Sequence, residues 1–464
     1  MIATIYPGAL RGTVRVPASK SAAHRALICA ALADGPTRVE IGALNADIEA
    51  TIRCLAALGA RVTRENGALC VEPIPAASGT ARNGDSAKAG ADDEPIPPAS
   101  RKTEGGDPAE AGADKPLPCA ARTSISDDPA TAGGTRAAGT GEGIILDCGE
   151  SGSTLRFLLP VAAALGVPAC FTGRGRLPER PNAALTGALR AHGADIDADL
   201  LPMRVRGPVA GGRWTLPGDV SSQYVTGLLL ALPLLPEDSQ ISLTTPLESA
   251  AYVTMTLEAL RQFGIVVEPT TDGWRVPGGQ RYRSPENLAV ESDWSAAAFW
   301  CAANAIGASI HIEGLNPDSA QGDRAVTELL KRNAVDARNV PDLVPALAVA
   351  AIFRPGRTVI SGAARLRLKE SDRLAATAAM ANALGARAAA TEDGLIIDGR
   401  GKGCAVSDTI TVDGANDHRI VMAAAIAASA HGAPVRVLGA EAVEKSYPDF
   451  FRDFEQLGGH IHVE

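Results

Sequence analysis

Several signatures of metal, membrane and nucleic-acid chemistry are missing from this sequence of 464 residues. Its eight cysteines include no CxxC pair or metal-ligand spacing, and its seven histidines form no HExxH motif. The N-terminal stretch MIATIYPGALRGTV does not resemble a signal peptide, and apolar runs such as FLLPVAAALGVPACF are too short to span a bilayer. A net charge of −9 argues against a nucleic-acid surface. These absences predict a cytoplasmic protein with reduced thiols.

One long segment is unlike the rest of the chain. Residues 76–141 are rich in Gly, Ala, Pro, Ser, Asp and Lys and nearly lack large apolar side chains. Such a segment cannot bury enough surface to offset the entropy that it would lose on ordering. We expect it to be a disordered surface loop that decorates one domain.

Outside that segment, the sequence repeats one pattern six times. Each repeat begins with an apolar helix that has a polar start, then a Gly or Pro turn and a strand, as in SKSAAHRALICAALADGPTRVEI. An amphipathic helix and another strand follow, as in DIEATIRCLAALGARV. This alternation predicts an α/β fold with two domains of three units each. The first helix of each unit should be buried because it is apolar nearly all round, whereas the second should lie nearer the surface.

The polar helix starts carry cations, which the helix dipole disfavours at that end. Lys20, Arg25, Arg156, Arg373 and Arg419 lie in or near first helical turns. Free backbone N–H groups, the dipole and Ser, Lys or Arg side chains together form an anion site, and arginine can bind phosphate or carboxylate through two hydrogen bonds. The pattern predicts a ligand with more than one anionic group, held between two domains. The alternative is that the serines and aspartates only cap these helices.

Two carboxylates stand out against this basic background, Asp342 in VPDLVP and Glu370 in KESDR. A carboxylate among cations and phosphates is a candidate for general acid–base catalysis, and a nearby lysine can share the proton transfer. Structural roles remain open for both. Asp342 could cap the helix that follows it, and KESDR could be a solvated turn in which Ser371 and Asp372 cap a helix.

A series of motifs resembles a known family. They are PASKSAAHRAL, GESGSTLRFLLP, GRGRLPERP, DVSSQYVTGLL, QGDRAV, VPDLVP, RLKESDRL, NDHRIVM and EKSYPDFF, in family order. Through them the chain resembles the EPSP synthase (3-phosphoshikimate 1-carboxyvinyltransferase) family over essentially all residues outside 76–141. The resemblance implies a two-domain enolpyruvyl-transferase-like fold with three βαβαββ units per domain. One domain would comprise residues 1–18 plus 293–464 and the other residues 19–292, with crossings near residues 17–20 and 290–294.

The resemblance also implies a reaction and its partners. The enolpyruvyl group of phosphoenolpyruvate would move to the 5-hydroxyl of shikimate 3-phosphate with release of phosphate, in the shikimate pathway to aromatic amino acids. The family needs no metal or organic cofactor. We expect these two small molecules to be the partners of a monomeric protein, with no nucleic acid and no membrane.

The functional residues follow from the motifs that match the family. Proton handling is implied for Lys20, Asp342 and Glu370, with Asp342 as the proton acceptor. The residues implied for shikimate 3-phosphate are Lys20, Ser21, Arg25, Ser221, Ser222, Gln223, Ser249, Asp342 and Lys369, with Tyr252 beside them. The residues implied for phosphoenolpyruvate are Lys20, Gly152, Arg180, Gln223, Arg373, Arg419 and Lys445, with His418 hydrogen bonding nearby.

Three positions depart from residues that some members carry. Arg365, Glu150 and His24 each replace an asparagine, which puts a substrate contact at position 365 in doubt and changes the charge at position 150.

Two other functions are considered. UDP-N-acetylglucosamine enolpyruvyl transferase typically has a Lys-Asn pair near its N-terminus, and SKSAAHR and DVSSQY favour the shikimate enzyme instead. A non-catalytic anion-binding relative would be favoured by loss of Lys20, Asp342, Glu370 or Arg419, but all four are present.

Overall fold

The computed structural model describes residues 1–75, 143–401 and 408–464. Helices and strands alternate along these ranges, as the repeats predict. The disordered loop expected at residues 76–141 lies outside the described residues and stays a prediction. No helix in the described ranges is long and apolar enough to cross a membrane.

The strands are short. In chain order they are β1 (Ile2–Tyr6), β2 (Arg11–Arg15), β3 (Thr37–Glu40), β4 (Arg61–Glu65), β5 (Ala68–Glu72), β6 (Ile144–Asp147), β7 (Ala169–Thr172), β8 (Asp195–Ile196), β9 (Met203–Arg206), β10 (Gly212–Leu216), β11 (Ser239–Leu243), β12 (Glu268–Pro269), β13 (Gly273–Val276), β14 (Asn287–Ala289), β15 (Ser309–Glu313), β16 (Ala334–Asp336), β17 (Gly356–Ser361), β18 (Arg387–Ala390), β19 (Leu395–Gly399), β20 (Ile410–Asp413), β21 (Val435–Leu438) and β22 (His460–Val463).

The α-helices alternate between apolar and amphipathic ones. They are α1 (Lys20–Leu32), α2 (Ala46–Ala57), α3 (Gly152–Ala164), α4 (Ala183–Ala191), α5 (Ser222–Ala231), α6 (Ala250–Gln262), α7 (Trp294–Ile306), α8 (Val326–Leu329), α9 (Val344–Phe353), α10 (Arg373–Ala383), α11 (His418–Ser429) and α12 (Phe450–Gln456). Short 3-10 helices span Leu177–Glu179, Leu232–Leu234, Gly322–Ala325, Pro341–Leu343, Ala364–Leu368 and Ala440–Lys445.

The repeated unit has one characteristic sheet. In the sheet β6-β7-β9-β8, β6 and β7 are parallel and α3 joins them, whereas β9 is antiparallel to both β7 and β8. The sheets β10-β11-β13-β12, β16-β17-β19-β18, β14-β3-β5-β4 and β20-β21-β1-β22 have the same form. This is the βαβαββ arrangement that the resemblance implies.

Two of these sheets are completed by strands from distant parts of the chain. The sheet of the first unit includes β14, which pairs with β3. The sheet of the last unit includes β1, which lies between β21 and β22. The chain therefore passes twice between the two groups of units. The two passages run side by side, since Ser19 N donates to Glu291 O (2.7 Å) and Asp293 N donates to Pro17 O (2.9 Å).

The fourth unit is shorter than predicted. Within the described ranges its sheet contains only β2 and β15. Between β15 and β16 the chain forms just a 3-10 turn and the short helix α8, and β16 already belongs to the sheet of the next unit. Too few residues remain there for the final pair of strands.

The apolar helices form two separate hydrophobic cores. One core surrounds α1, α3 and α5, here called the N-terminal lobe, and the other surrounds α7, α9 and α11, here called the C-terminal lobe. Every residue of α9 is buried, and α11 is buried from His418 to Ala428. The cores separate between Val16 and Ala23 and again between Tyr282 and Trp294. The domain boundaries at residues 18–19 and 292–293 stay a prediction.

Candidate active site

A cavity lies where the buried helices of both lobes begin. Its polar and charged lining consists of Lys20, Ser21, Arg25, Asp47, Ser153, Arg156, Arg180, Ser221, Ser222, Gln223, Tyr224, Ser249, Tyr252, Asp293, Ser295, Asp342, Arg365, Lys369, Glu370, Arg373, His418, Arg419 and Ser446. The first residues of α1, α3, α5, α10 and α11 are among the lining residues, and Asp342 lies in the 3-10 turn (Pro341–Leu343) that precedes α9. The helix dipoles therefore add positive potential to the cavity.

Helix capping and the cavity coexist. Ser151 Oγ accepts from Thr154 N (3.2 Å), Ser221 Oγ accepts from Gln223 N (3.3 Å), and Asp293 Oδ1 accepts from Ser295 N (2.7 Å). Each of these caps occupies one or two of the free N–H groups at its helix start. The capping alternative is therefore correct for Ser221, which also lines the cavity.

The cavity is cationic although the chain is acidic. Its lining has eight Lys or Arg side chains and four Asp or Glu side chains, a net +4, whereas the whole chain carries −9. Among the described residues, Arg25 and Arg156 form no ion pair with a carboxylate, and burial lowers the pKa of each to about 10. Buried guanidinium groups without a counter-charge favour an anionic ligand.

Asp342 lies at the centre of the cations. Its carboxylate accepts from Tyr252 Oη (3.0 Å) and pairs with Arg373 (2.9 Å) and Arg419 (3.2 Å). Burial opposes ionisation, but Arg419, Lys369 and Arg373 nevertheless hold the pKa of Asp342 well below its ordinary value. No capping bond from this side chain satisfies the start of α9. The capping alternative for Asp342 is thus replaced by a role in the cavity wall.

The KESDR segment serves the helix and the cavity together. Asp372 Oδ1 caps α10 by accepting from Ala375 N (3.1 Å), as one alternative predicts. Glu370 faces the other way and pairs with Arg373 (2.6 Å) and with Arg180 (3.9 Å) from the N-terminal lobe. Burial opposes ionisation of Glu370, but the charges of Arg373 and Arg180 keep its pKa well below the ordinary value. Burial lowers the pKa of Lys369 to about 8.

Asp417 is a supporting residue that the sequence analysis missed. It is fully buried, pairs with Arg373 Nε (2.8 Å), accepts from Ser371 Oγ (2.9 Å) and caps α11 at Arg419 N (3.0 Å). One carboxylate thereby orients the Arg373 guanidinium and fixes the backbone from which Arg419 extends. Its place before the HR of NDHR was the available signal, but an aspartate there is also an ordinary N-cap.

Other partners across the cavity were missed too. Asp47 in α2 pairs with Lys20 Nζ (2.8 Å), and against the opposing effect of burial it helps to raise the pKa of Lys20. Arg156 donates to Gln223 Oε1 (2.6 Å), while Gln223 Nε2 donates to Ser153 Oγ (3.0 Å). No sequence spacing indicates these contacts, because Lys20 and Asp47 lie on different helices of one repeat and Gln223 lies in a different repeat from Arg156 and Ser153.

The structure brings together the sequence-predicted residues with one exception. Lys445 is not among the lining residues, although its neighbour Ser446 is, and its Nζ pairs with Glu150 Oε2 (2.7 Å). His418 lines the cavity with both ring nitrogens buried and without hydrogen-bond partners. Burial and the charge of Lys20 lower its pKa well below the ordinary value, so the ring is neutral.

Two further positions are Arg365, one of the departures noted in the sequence, and Gly152, one of the residues predicted for phosphoenolpyruvate. Arg365 pairs with Glu248 (2.7 Å) and donates to Ser249 Oγ (3.0 Å), so its charge is already neutralised beside a predicted substrate residue. Gly152 lies so close to Arg180 that an added Cβ would be 2.9 Å from the Arg180 guanidinium. A side chain at position 152 would therefore displace that guanidinium.

In the described ranges, no three His, Cys, Asp or Glu side chains are grouped so that they could hold a metal ion.

Comparison with known proteins identifies the family. The model of EPSP synthase (3-phosphoshikimate 1-carboxyvinyltransferase) matches residues 5–90, 126–334 and 327–454. The chain belongs to the EPSP synthase family. It is 36% identical to the 3-phosphoshikimate 1-carboxyvinyltransferase of Clostridium kluyveri, with 99% of this chain and 97% of that protein covered. The protein of the same name from Clostridium acetobutylicum is 33% identical, with the same coverage.

Solved structures agree with this membership. EPSP synthase from Acinetobacter baumannii matches with a TM-score of 0.71 and 25% identity over 100% of both chains. The enolpyruvyl transferase NikO from Streptomyces tendae has a TM-score of 0.68 at 16% identity, covering 99% of this chain and 98% of NikO, and shares the fold. The predicted enolpyruvyl-transferase-like α/β fold is confirmed. The chain is an enzyme of the EPSP synthase family, a transferase of the shikimate pathway.

The buried position of Asp417 leads to a stability prediction. Asp417→Asn should lower the free energy of unfolding by roughly 2–3 kcal/mol. Leaving a buried charge with no partner costs ~3–5 kcal/mol, and the loss should be smaller here because Arg373 still pairs with Asp342 and Glu370. Urea unfolding measures the loss. The matched control is Asp398→Asn, which breaks an exposed pair with Arg357 (2.8 Å) and should leave the midpoint nearly unchanged. Equal effects of the two substitutions would contradict the assigned role of Asp417.

Proposed function

We propose that the cavity binds shikimate 3-phosphate and phosphoenolpyruvate together and moves the enolpyruvyl group to the 5-hydroxyl of shikimate 3-phosphate. The observation that carries this proposal is the pair of ionised carboxylates, Asp342 and Glu370, that share Arg373 inside a cavity of net positive charge. The cations suit two phosphorylated substrates, and the carboxylates supply proton acceptors at the same place.

Shikimate 3-phosphate would be held mainly at the starts of α1 and α5. The proposed residues are Lys20, Ser21, Arg25, Ser221, Ser222, Gln223, Ser249, Asp342 and Lys369. The structure supports this set because all of them line the cavity. Arg25 is fixed in place by Tyr252 O (2.8 Å) and Thr256 Oγ1 (2.8 Å), so its charge is pre-oriented. Arg365 is a further neighbour, because it already holds the Ser249 hydroxyl.

Phosphoenolpyruvate would lie nearer the C-terminal lobe and the start of α3. The proposed residues are Lys20, Gly152, Arg180, Gln223, Arg373, Arg419 and Lys445, and all but Lys445 line the cavity. Arg180 and Arg373 come from different lobes and both approach Glu370. A ligand that bridges these arginines would tie the lobes together. The neutral ring of His418 can donate one hydrogen bond and accept another beside it.

Proton transfer requires one group at each reacting end. The methylene of phosphoenolpyruvate takes up a proton, its C2 becomes electrophilic, and the 5-hydroxyl oxygen attacks C2 while its proton goes to Asp342. The tetrahedral intermediate then loses a methyl proton and its C2–O bond to phosphate, which restores the double bond. Glu370 and Lys20 are the proposed carriers of the proton that the methylene gains and later loses.

The substrates themselves would tune these groups. With only protein groups around them, Asp342 and Glu370 are poor bases, because the surrounding cations stabilise their ionised forms. Phosphate and carboxylate groups of the substrates would share Lys369, Arg373 and Arg180 with them. The pKa of each carboxylate would then rise toward the range in which it can exchange protons.

The setting of the enzyme is part of the proposal. Cys29, Cys54 and Cys148 are buried as reduced thiols, which is consistent with a reducing cytoplasm. We propose a monomer, because the residues proposed for both substrates, Lys445 excepted, line one cavity within a single chain.

Phosphate release tests the proposed function. Purified protein should release phosphate from phosphoenolpyruvate when shikimate 3-phosphate is present, and should not do so with UDP-N-acetylglucosamine. If phosphate were released with UDP-N-acetylglucosamine and not with shikimate 3-phosphate, the nucleotide sugar would be the acceptor instead. A folded protein that released phosphate with neither acceptor would contradict the proposal.

Glu370→Gln tests proton transfer separately from binding. The amide keeps the shape of the side chain and can still accept a hydrogen bond from Arg373, but it is not a base. We expect kcat to fall by about 10²–10⁴-fold with KM values within a few fold. Steady-state kinetics with both substrates varied gives the answer, and near-normal turnover would remove Glu370 from the mechanism.

Lys369 predicts a pH limit on substrate capture. Because burial lowers its pKa to about 8, the ammonium charge is lost above that pH. kcat/KM for shikimate 3-phosphate should then fall by up to about tenfold per pH unit, since this parameter reports groups of the free enzyme. In Lys369→Arg the charge persists and this limb of the profile should move to higher pH. The same limb in both proteins would assign it to another group.

A further inference from the structure

Glu150 forms an ion pair with Lys445, the lysine that is proposed to bind phosphoenolpyruvate. Lys445 Nζ lies 2.7 Å from Glu150 Oε2 and 2.7 Å from the backbone oxygen of Asn416. The side chains of Lys445 and Glu150 are only 12% and 22% exposed, so the pair is partly shielded from water. Glu150 precedes α3 in the N-terminal lobe, whereas Lys445 and Asn416 belong to the C-terminal lobe. The contact therefore crosses between the lobes at the edge of the cavity.

The surroundings hold this carboxylate in place. Asn416 Nδ2 also donates to Glu150 Oε2 (3.2 Å), from a turn in which Ala415 and Asn416 both have positive φ (51° and 52°). Non-glycine residues rarely adopt that conformation, and such strain persists only where surrounding contacts fix it. On the other side, the Glu150 carboxyl group packs against Gly175, which has a φ of +60°. A Cβ at position 175 would lie only 2.6 Å from that carboxyl group, so the residue must lack a side chain for Glu150 to fit.

We propose that Glu150 is an internal competitor of the substrate. Resting on the proposed role of Lys445, the inference is that the Glu150 carboxylate takes the place of an anionic group of phosphoenolpyruvate at this lysine. Substrate capture then requires Lys445 to leave Glu150 and turn toward the cavity, where the adjacent Ser446 already lines the wall. Glu150 is accordingly a positioning residue that sets the apparent affinity for phosphoenolpyruvate and does not touch the reacting atoms.

The expected size of the effect is modest. A partly exposed ion pair is worth up to about 1 kcal/mol, which corresponds to a factor of about five in an equilibrium constant. If Lys445 is free of Glu150 in only a fraction of the molecules, the apparent affinity for phosphoenolpyruvate is the intrinsic affinity multiplied by that fraction. Removing the charge of Glu150 should therefore lower KM for phosphoenolpyruvate about two- to fivefold. KM for shikimate 3-phosphate should not change, since none of its proposed residues contacts Glu150.

The test is a double-mutant cycle on the intact protein. KM for each substrate is measured at saturation of the other for the unsubstituted protein, Glu150→Gln, Lys445→Met and the double variant. Glu150→Gln should lower KM for phosphoenolpyruvate, and the same change in the Lys445→Met background should have no effect. Glu268→Gln, which breaks a pair with Arg275 (2.6 Å) that contributes nothing to the cavity lining, is the matched control and should leave both KM values unchanged.

Three results would overturn the inference: an unchanged KM for phosphoenolpyruvate, an equal effect of Glu150→Gln with and without Lys445, or a rise in KM for both substrates. The last result would make the contact a structural tie between the lobes. Failure of the proposed function is separately visible, because the unsubstituted protein would then release no phosphate in the first assay, and both proposals would fall.

Discussion

The structure depends on concentrating positive charge where helices begin in an acidic protein. Buried helices from both lobes direct the positive ends of their dipoles at one cavity, and Lys and Arg side chains outnumber carboxylates there. Such an arrangement opposes folding unless counter-charges are built in. Asp417, Asp342 and Glu370 provide them by converging on Arg373, which is only 1% exposed. Asp342 and Glu370, the carboxylates proposed for catalysis, thus also neutralise positive charge in the folded protein.

This double role links stability to chemistry. Asp417 is fully buried and is occupied by Ser371, Arg373 and the N–H of Arg419, so it has no capacity left for a substrate. Asp342 and Glu370 are about one-seventh exposed and reach the cavity. An anionic substrate can replace them as partners of the arginines, but it cannot replace Asp417. The carboxylates nearest the ligand are therefore the ones whose proton affinity the ligand can change.

The fold was predictable from sequence because its information is local and repeated. An apolar helix with a polar start, followed by a turn and a strand, predicts the same unit wherever it occurs. The pairing of β1 with β21 and of β14 with β3, and the shortened sheet of β2 and β15, join strands far apart in the sequence, and no local pattern records such pairing. For the same reason, residue spacing alone could not decide whether Asp342 caps a helix or faces a cavity. That depends on the direction of one side chain.

The partners of the site residues were the least predictable part. Lys445 and Glu150 are 295 positions apart and lie in different lobes, so their contact exists only after both lobes have folded. Arg25 reaches Thr256 over 231 positions within the N-terminal lobe, so that contact requires most of this lobe to have folded. Motifs identify residue types that suit a substrate, but the fold must also provide partners for those residues before a substrate binds. In this chain it does so in two ways. Arg25 is held by hydroxyl and carbonyl oxygens, which carry no charge and need not leave when an anion arrives. Lys445 is held by the Glu150 carboxylate, which carries the same sign of charge as an anionic substrate. Of the two proposed binding groups, only Lys445 must therefore give up a charged partner when such a substrate binds.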